Sequence, residues 1–360
     1  MADIKKIDKN FEMASVNESD MKIYDVRNEP FTLYGLYLPE SGEMFRRVPE
    51  QVAKDMSDGA HFLHTCGAGI RVRFKTDSQY IAIKATIPSL SVMPHMTILG
   101  SAGFDLYVDG KYAKSYCPPA TYEDTYRSTV SIGDGFEGIA KFPERKMRDI
   151  IINFPLYSSV SELLIGLQED AELTKGNEYK YKTPVVYYGS SITQGGCASR
   201  PGNSYQAVIS RRLDCDYLNL GFSGNARAED AIADYIANLD MSVFVYDYDH
   251  NAPTVEHLQK THKPMFDKIR AKHPDLPIIM VTRPDRSCPP DEIEKRIEVV
   301  YDTYKKAVDA GDKNVYFISG QDIFNLGDSD MMTCDGCHPN DYGFWCMAEV
   351  IGKAVEKVIK

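Results

Sequence analysis

No stretch of the 360-residue sequence approaches the ~18 consecutive apolar residues of a membrane-spanning helix, so no membrane span is expected. The opening run, Met-Ala-Asp-Ile-Lys-Lys-Ile-Asp-Lys-Asn, carries charge but no apolar h-region, which predicts no secretory signal. Positive charge is not in excess either: 41 basic against 52 acidic residues leave a net charge of −11. That balance argues against nucleic acid and anionic membrane surfaces as partners, and it suits a neutral substrate. The eight cysteines, at 66, 117, 197, 215, 288, 334, 337 and 346, form no framework spacing. In a chain of this size they read as reduced thiols of a cytoplasmic protein. Internal repeats and low-complexity tracts are lacking, and tryptophan occurs once.

What is present is an ordinary globular composition, 43% hydrophobic and 26% charged, in a chain long enough for two cores. Short alternating or β-branched runs recur in the first half, at 31–37, 70–75, 80–86, 104–108, 149–154 and 162–167. Turn residues such as Asp109-Gly110 punctuate them, so residues 1–177 are expected to form a β-sandwich of jelly-roll type. The polar stretch from Glu169 to Lys182 reads as a linker. Beyond it the rhythm changes. Apolar runs at 184–188, 216–220, 242–247, 277–282 and 314–318 alternate with helical patterns near 203–213, 228–239, 254–272, 290–309 and 341–359. Residues 178–360 are therefore expected to fold as an α/β domain with a doubly wound, parallel five-stranded sheet.

In open α/β sheets the active site lies at the carboxyl ends of the strands, and several chemically capable residues fall there. Ser191 follows the first apolar run in Tyr188-Gly-Ser-Ser-Ile-Thr-Gln-Gly195. Gly224 follows the second, His250 and Asn251 the third, Arg283 the fourth, and Asp335-Gly-Cys-His338 the fifth. A serine hydroxyl needs a base to remove its proton, and the base needs a carboxylate to fix its tautomer. Ser191, His338 and Asp335 are the candidates. The developing oxyanion needs donors, which the Ser191 and Gly224 N–H groups and the Asn251 carboxamide can supply.

With these blocks the sequence resembles the SGNH (GDSL-type) hydrolases, named for Ser, Gly, Asn and His. The matching positions are Gly189-Ser-Ser-Ile-Thr193, Gly224, Asn251 and Asp335-x-x-His338. Upstream, Gly103-Phe-Asp-Leu-Tyr107 resembles the Gly-x-Asp-Leu-Tyr signature of a β domain that precedes the hydrolase domain in one bacterial subfamily. Two departures are visible. Ser190 stands where the family usually has Asp, and Asp249-His-Asn-Ala-Pro253 replaces the usual Gly-x-Asn-Asp. The second leaves His250 as the other candidate for the third donor. The resemblance implies a metal- and cofactor-free serine esterase acting on carbohydrate O-acetyl esters, such as those of mannan or xylan oligosaccharides. The alternatives are a lipase or thioesterase, or a non-catalytic carbohydrate-binding protein. A homo-oligomer is left open.

Other residues carry weaker expectations. Arg200, Arg283, His250 and Trp345 are candidate substrate contacts; the alternative for Arg200 is a solvated loop charge and for Arg283 a structural ion pair. For Trp345 the favoured alternative to stacking on sugar is packing in the core. Cys334-x-x-Cys337 has the spacing of a metal or redox pair but lacks a second pair. His61, His64 and His95 read as ordinary residues of the β domain. The loop 88–96 and the segment Gly103–Tyr107 are candidates for a substrate wall, because they combine turn residues, hydroxyls, aromatic rings and sulfur.

Overall fold

The computed structural model of the protein describes residues 16–37, 43–119, 121–122, 128–129, 133–284 and 287–360. The first half contains β1 (Met21–Asp25), β2 (Thr32–Tyr34), β3 (Arg71–Thr76), β4 (Tyr80–Thr86), β5 (Phe104–Val108) and β6 (Lys111–Tyr116). A two-residue pair, β7 (Thr121–Tyr122) and β8 (Ser128–Thr129), follows. Then come β9 (Gly135–Lys141), β10 (Arg148–Asn153), β11 (Glu162–Gln168) and β12 (Leu173–Lys175). One antiparallel sheet runs β1-β11-β4-β9, and a second runs β12-β3-β10-β5-β6 with β2 added on β3. The period-2 alternation of strands decides which side chains meet. Ile81, Ile83 and Ala85 of the first sheet share one core with Val72, Phe74, Phe104, Leu106, Ile150 and Ile152 of the second. The two sheets therefore form a sandwich. The expected linker is shorter than its composition suggests, because Leu173–Lys175 pairs with β3 and Tyr181 already begins the next strand.

The second half is built on β13 (Tyr181–Gly189), β14 (Cys215–Gly221), β15 (Val243–Asp247), β16 (Ile278–Val281) and β17 (Val315–Ile318), all parallel. Every expected strand and helix of this half is present. Helices Tyr205–Leu213, Asp230–Ala237, Val255–Lys272, Pro290–Asp309 and Asp341–Val358 cover the sheet. The strand order β14-β13-β15-β16-β17 reverses direction at β13. The crevice at the carboxyl ends of β13 and β15 is thus the topological switch point, where such folds bind ligands.

The halves are joined by buried polar contacts. Arg47 of the β half is almost wholly buried and donates to the carbonyls of Leu63 (2.7 Å) and Cys66 (3.0 Å) on its own side. Its other bonds reach Asn219 (3.0 Å) and Gly221 (2.6 Å) across the interface. The Gly-x-Asp-Leu-Tyr motif does similar work. Asp105, fully buried, accepts from Asn153 Nδ2 (2.8 Å), the Gly202 N–H (2.8 Å) and Arg200 Nη1 (3.1 Å). Arg200 also donates to the Tyr107 hydroxyl at 2.5 Å. The motif works as a clamp between the halves, and Arg200 is its partner. Asp105→Ala strands a guanidinium and two N–H donors in a closed interface. Denaturant unfolding should show a loss of about 3–5 kcal/mol. A loss below about 1 kcal/mol, the scale of a surface change, would remove the clamp role.

Candidate active site

The nucleophile turn is shaped by glycines. A Cβ on Gly189 would lie 2.0 Å from the Asp247 carbonyl and 2.1 Å from Thr193 Oγ1, so only glycine lets β13 and β15 close at their ends. Ser190 then caps the short helix Ser191–Gln194, its hydroxyl accepting the Ile192 N–H at 3.1 Å. That is the role left for the residue replacing the family's usual Asp. Ser191 holds the first helical position, where no carbonyl one turn back exists to accept its N–H. From beneath, the β half braces this turn. Tyr157 donates to the Ser191 carbonyl at 3.1 Å, and Gln194 Nε2 donates to the Leu156 carbonyl at 3.1 Å.

Asp335 and His338 arrive on the loop before helix Asp341–Val358. Ser191 Oγ lies 3.0 Å from His338 Nε2, and His338 Nδ1 lies 2.8 Å from Asp335 Oδ2. The other carboxylate oxygen, Oδ1, accepts the backbone N–H groups of His338 (2.7 Å) and Cys337 (3.0 Å). Partial burial works to raise the Asp335 carboxyl, but these donors and the imidazole outweigh it and hold it down to about 2. Gly196 lies under the imidazole. A Cβ there would stand 2.9 Å from the Tyr157 hydroxyl and 3.2 Å from His338 Cδ2. The three candidates of the triad are therefore brought together in one hydrogen-bonded chain.

The oxyanion candidates converge on the same rim. Gly224 sits in the left-handed region (φ 70°) with open space where a side chain would be. The Ser223 N–H donates to Gln194 Oε1 at 3.0 Å, tying that block to the nucleophile helix. Asn251 lies on the 3₁₀ turn Asp249–Asn251 after β15, and its Oδ1 accepts the Ala226 N–H at 3.4 Å. The carboxamide is thereby oriented with Nδ2 as its donor end. His250 instead approaches the triad loop, its Nε2 3.9 Å from Cys337 Sγ. This favours Asn251 as the third donor. Asn251→Ala should lower kcat about 10²–10³-fold with little change in KM, the loss expected for one oxyanion donor. If His250→Ala gives that loss and Asn251→Ala does not, the roles are exchanged.

The remaining candidates lie elsewhere. Arg283 is buried, its N–H donating to Asp249 Oδ2 (3.0 Å) and its Nη2 to Ser287 Oγ (2.9 Å). Those bonds suit its structural alternative. Trp345 is not in the core: it is 45% exposed and stacks on Tyr342 with ring centres 6.3 Å apart. His61 and His64 stack on each other in the β half, away from the triad. His95 does not stay with them. Its ring centre lies 5.2 Å from that of His338. Tyr157 and Gly196 were not anticipated either, and neither has a local sequence signal.

Residues 182–359 match the model of the GDSL-like lipase/acylhydrolase family, and residues 21–173 match that of the N-terminus of SGNH hydrolase-type esterases, named GxDLY. The chain carries a GDSL-like acylhydrolase domain behind a GxDLY domain. No curated protein matches it. Among solved structures it is similar to a protein described as a GDSL-like lipase from Bacteroides ovatus, at 29% identity and TM-score 0.82. That match covers 94% of this chain and 99% of the other. The salicylyl-acyltransferase SsfX3 of a tetracycline biosynthetic pathway matches at 18% identity and TM-score 0.76, covering 95% of this chain and 99% of the other. A family two carbohydrate esterase from Clostridium thermocellum, solved as an active-site mutant, matches at 12% identity and TM-score 0.64. It covers 92% of this chain and 98% of that one. The last two likenesses are of fold alone. The GDSL-like acylhydrolase assignment fits a hydrogen-bonded Ser, His and Asp at a sheet's switch point.

Proposed function

We propose that this acylhydrolase removes acetyl or other small acyl groups from carbohydrate, with acetylated mannan or xylan oligosaccharides as the substrate class. The observation that carries the chemistry is the unbroken chain from Ser191 Oγ through His338 to Asp335, at 3.0 and 2.8 Å. In this reading Ser191 attacks the ester carbonyl while His338 Nε2 takes its proton. The Ser191 and Gly224 N–H groups and Asn251 Nδ2 receive the oxyanion. His338 then protonates the leaving sugar hydroxyl, and water repeats the sequence on the acyl-enzyme. The carbohydrate part is supported by the shared architecture with a carbohydrate esterase. Its setting in this reading is the cytoplasm, the compartment that eight free thiols fit. A second reading, transfer of the acyl group to another alcohol, is favoured by the closer structural likeness to an acyltransferase. The test is release of acetate from acetylated manno- and xylo-oligosaccharides, with and without an added acceptor alcohol. Acetate release without acceptor supports the hydrolase, and acceptor-dependent turnover supports transfer.

The proton inventory gives a further expectation. His338 must be neutral to accept the serine proton. Asp335, held near 2, stays ionised well into the acid range. Its depressed value means that its contribution to the site is fully present above the usual carboxylate range, and is lost only as pH falls through about 2. Log kcat/KM should therefore fall on acidification with a slope no steeper than one above about pH 4, because Asp335 adds no second loss there. A slope of two in that window would show a second essential base.

A further inference from the structure

Among the described residues, one group of three metal-ligating side chains gathers at the site: His95, Cys197 and His338, with one ligand atom from each within 4.8 Å of the other two. The geometry points to a transition-metal site, of the kind that takes Zn²⁺, which when filled captures the triad histidine and switches hydrolysis off. This regulation rests on the hydrolase reading above. Three observations support it. First, two imidazoles on one tetrahedral zinc, each bound at about 2.0–2.1 Å, have ring centres roughly 5 Å apart. The rings of His95 and His338 are separated by 5.2 Å. Second, two imidazoles with one thiolate is a donor set that selects zinc-like over hard cations. Third, His338 already carries an outer-shell carboxylate, because Asp335 accepts from its Nδ1 at 2.8 Å. That hydrogen bond fixes the tautomer and raises the basicity of the free nitrogen, as in many metal-bound histidines.

The fold holds the two outer ligands in place. Two residues beyond His95, Thr97 caps helix Ile98–Ala102 by accepting the Gly100 N–H at 3.0 Å. The same hydroxyl donates to the Ser199 carbonyl at 2.6 Å, which ties the loop of His95 to the loop of Cys197. Cys197 itself is buried and sits in the left-handed region (φ 73°), a conformation that a cysteine adopts at a cost in strain. His95 is exposed. Being exposed, its side chain can rotate to bring the ligand atoms, now within 4.8 Å of one another, to tetrahedral spacing. Because Asp335 engages Nδ1, the nitrogen that His338 offers the metal is Nε2. That atom is the base for Ser191, so metal and catalysis exclude each other.

The test uses the full chain freed of metal. Co²⁺ titration should develop a thiolate-to-cobalt charge-transfer band and the strong visible bands of a tetrahedral site. Both should persist in Ser191→Ala and disappear in Cys197→Ser. Zn²⁺ should inhibit acetate-ester hydrolysis, and EDTA should restore it. Even outer-shell partners are worth about 10–100-fold in metal affinity, so His95→Ala should raise the half-inhibiting Zn²⁺ concentration at least about tenfold relative to its own metal-free rate. The proposal is overturned if no thiolate band forms, if the band survives Cys197→Ser and so belongs to Cys334 and Cys337, or if Zn²⁺ activates. It is equally overturned if half-inhibition is unmoved in His95→Ala, which would mean that the metal binds the triad alone. An inactive protein that still gives the cobalt spectrum would sink the hydrolase reading and leave the metal site standing. An active hydrolase without the spectrum would do the reverse.

Discussion

Replacing Ser191 by alanine should lower kcat for ester hydrolysis by about 10⁴-fold or more, the loss typical of a triad member. Melting temperature should stay within error. Ser191 Oγ meets His338 Nε2 at 3.0 Å, and removing one hydroxyl there opens no cavity of note. The neighbouring hydroxyl cannot substitute. Ser190 Oγ is engaged as the cap of the Ile192 N–H, and it is Ser191 whose hydroxyl lies within hydrogen-bond distance of His338. A variant retaining more than half of the wild-type rate would end the assignment of Ser191, and Ser190 would then be the serine to replace. The measurement is a steady-state assay on a chromogenic acetate together with a thermal melt of the same sample.

The α/β half was legible because its signals are local. A buried parallel strand must be apolar on both faces. Runs such as Val243–Asp247 and Ile278–Val281 are short, continuous and flanked by long amphipathic helices. The β half was less legible where strands lie at edges. Lys111–Tyr116 is exposed over its first four residues, so no alternation marks it. The helices Glu50–Met56 and Asp58–Leu63 were passed over because each is under three turns, too short for a 3.6-residue period to declare itself.

At the site, the triad could be read because each member ends a strand or follows a distinctive turn. The contacts that the sequence did not show depend on partners remote in sequence. Arg200 looked like a free loop charge, but its carboxylate, Asp105, lies in the other half of the chain. Tyr157 and His95 reach the site only because the sandwich packs against the loops after β13, which no window of sequence records. Trp345 follows the pattern of a buried helix position yet faces outward beside Tyr342, since the helix buries Phe344, Cys346 and Met347 instead. Patterns give the period of a helix better than its phase against a partner.

Asp335→Asn should be nearly as damaging as loss of the nucleophile, about 10⁴-fold in kcat at neutral pH, and for a reason that the hydrogen bonds make specific. Oδ1 of Asp335 accepts two backbone N–H groups, from His338 and Cys337, while Oδ2 accepts from His338 Nδ1. Asparagine has one oxygen and one NH₂. The two backbone donors demand the oxygen, so the NH₂ must face the imidazole. A donor there forces Nδ1 to be the acceptor and moves the ring proton to Nε2. The nitrogen beside Ser191 then carries a hydrogen and cannot take another at neutral charge. The loop should keep its shape, because both backbone donors remain satisfied, and the melting temperature should change little. Asp335→Ala removes the orienting group without imposing the wrong tautomer, so it should be no worse than asparagine despite the larger structural change. If Asp335→Asn stays within about tenfold of wild type, below the usual worth of general base catalysis, the carboxylate is not what prepares His338. If alanine is much worse than asparagine, Asp335 acts by holding the loop rather than by setting where the proton sits.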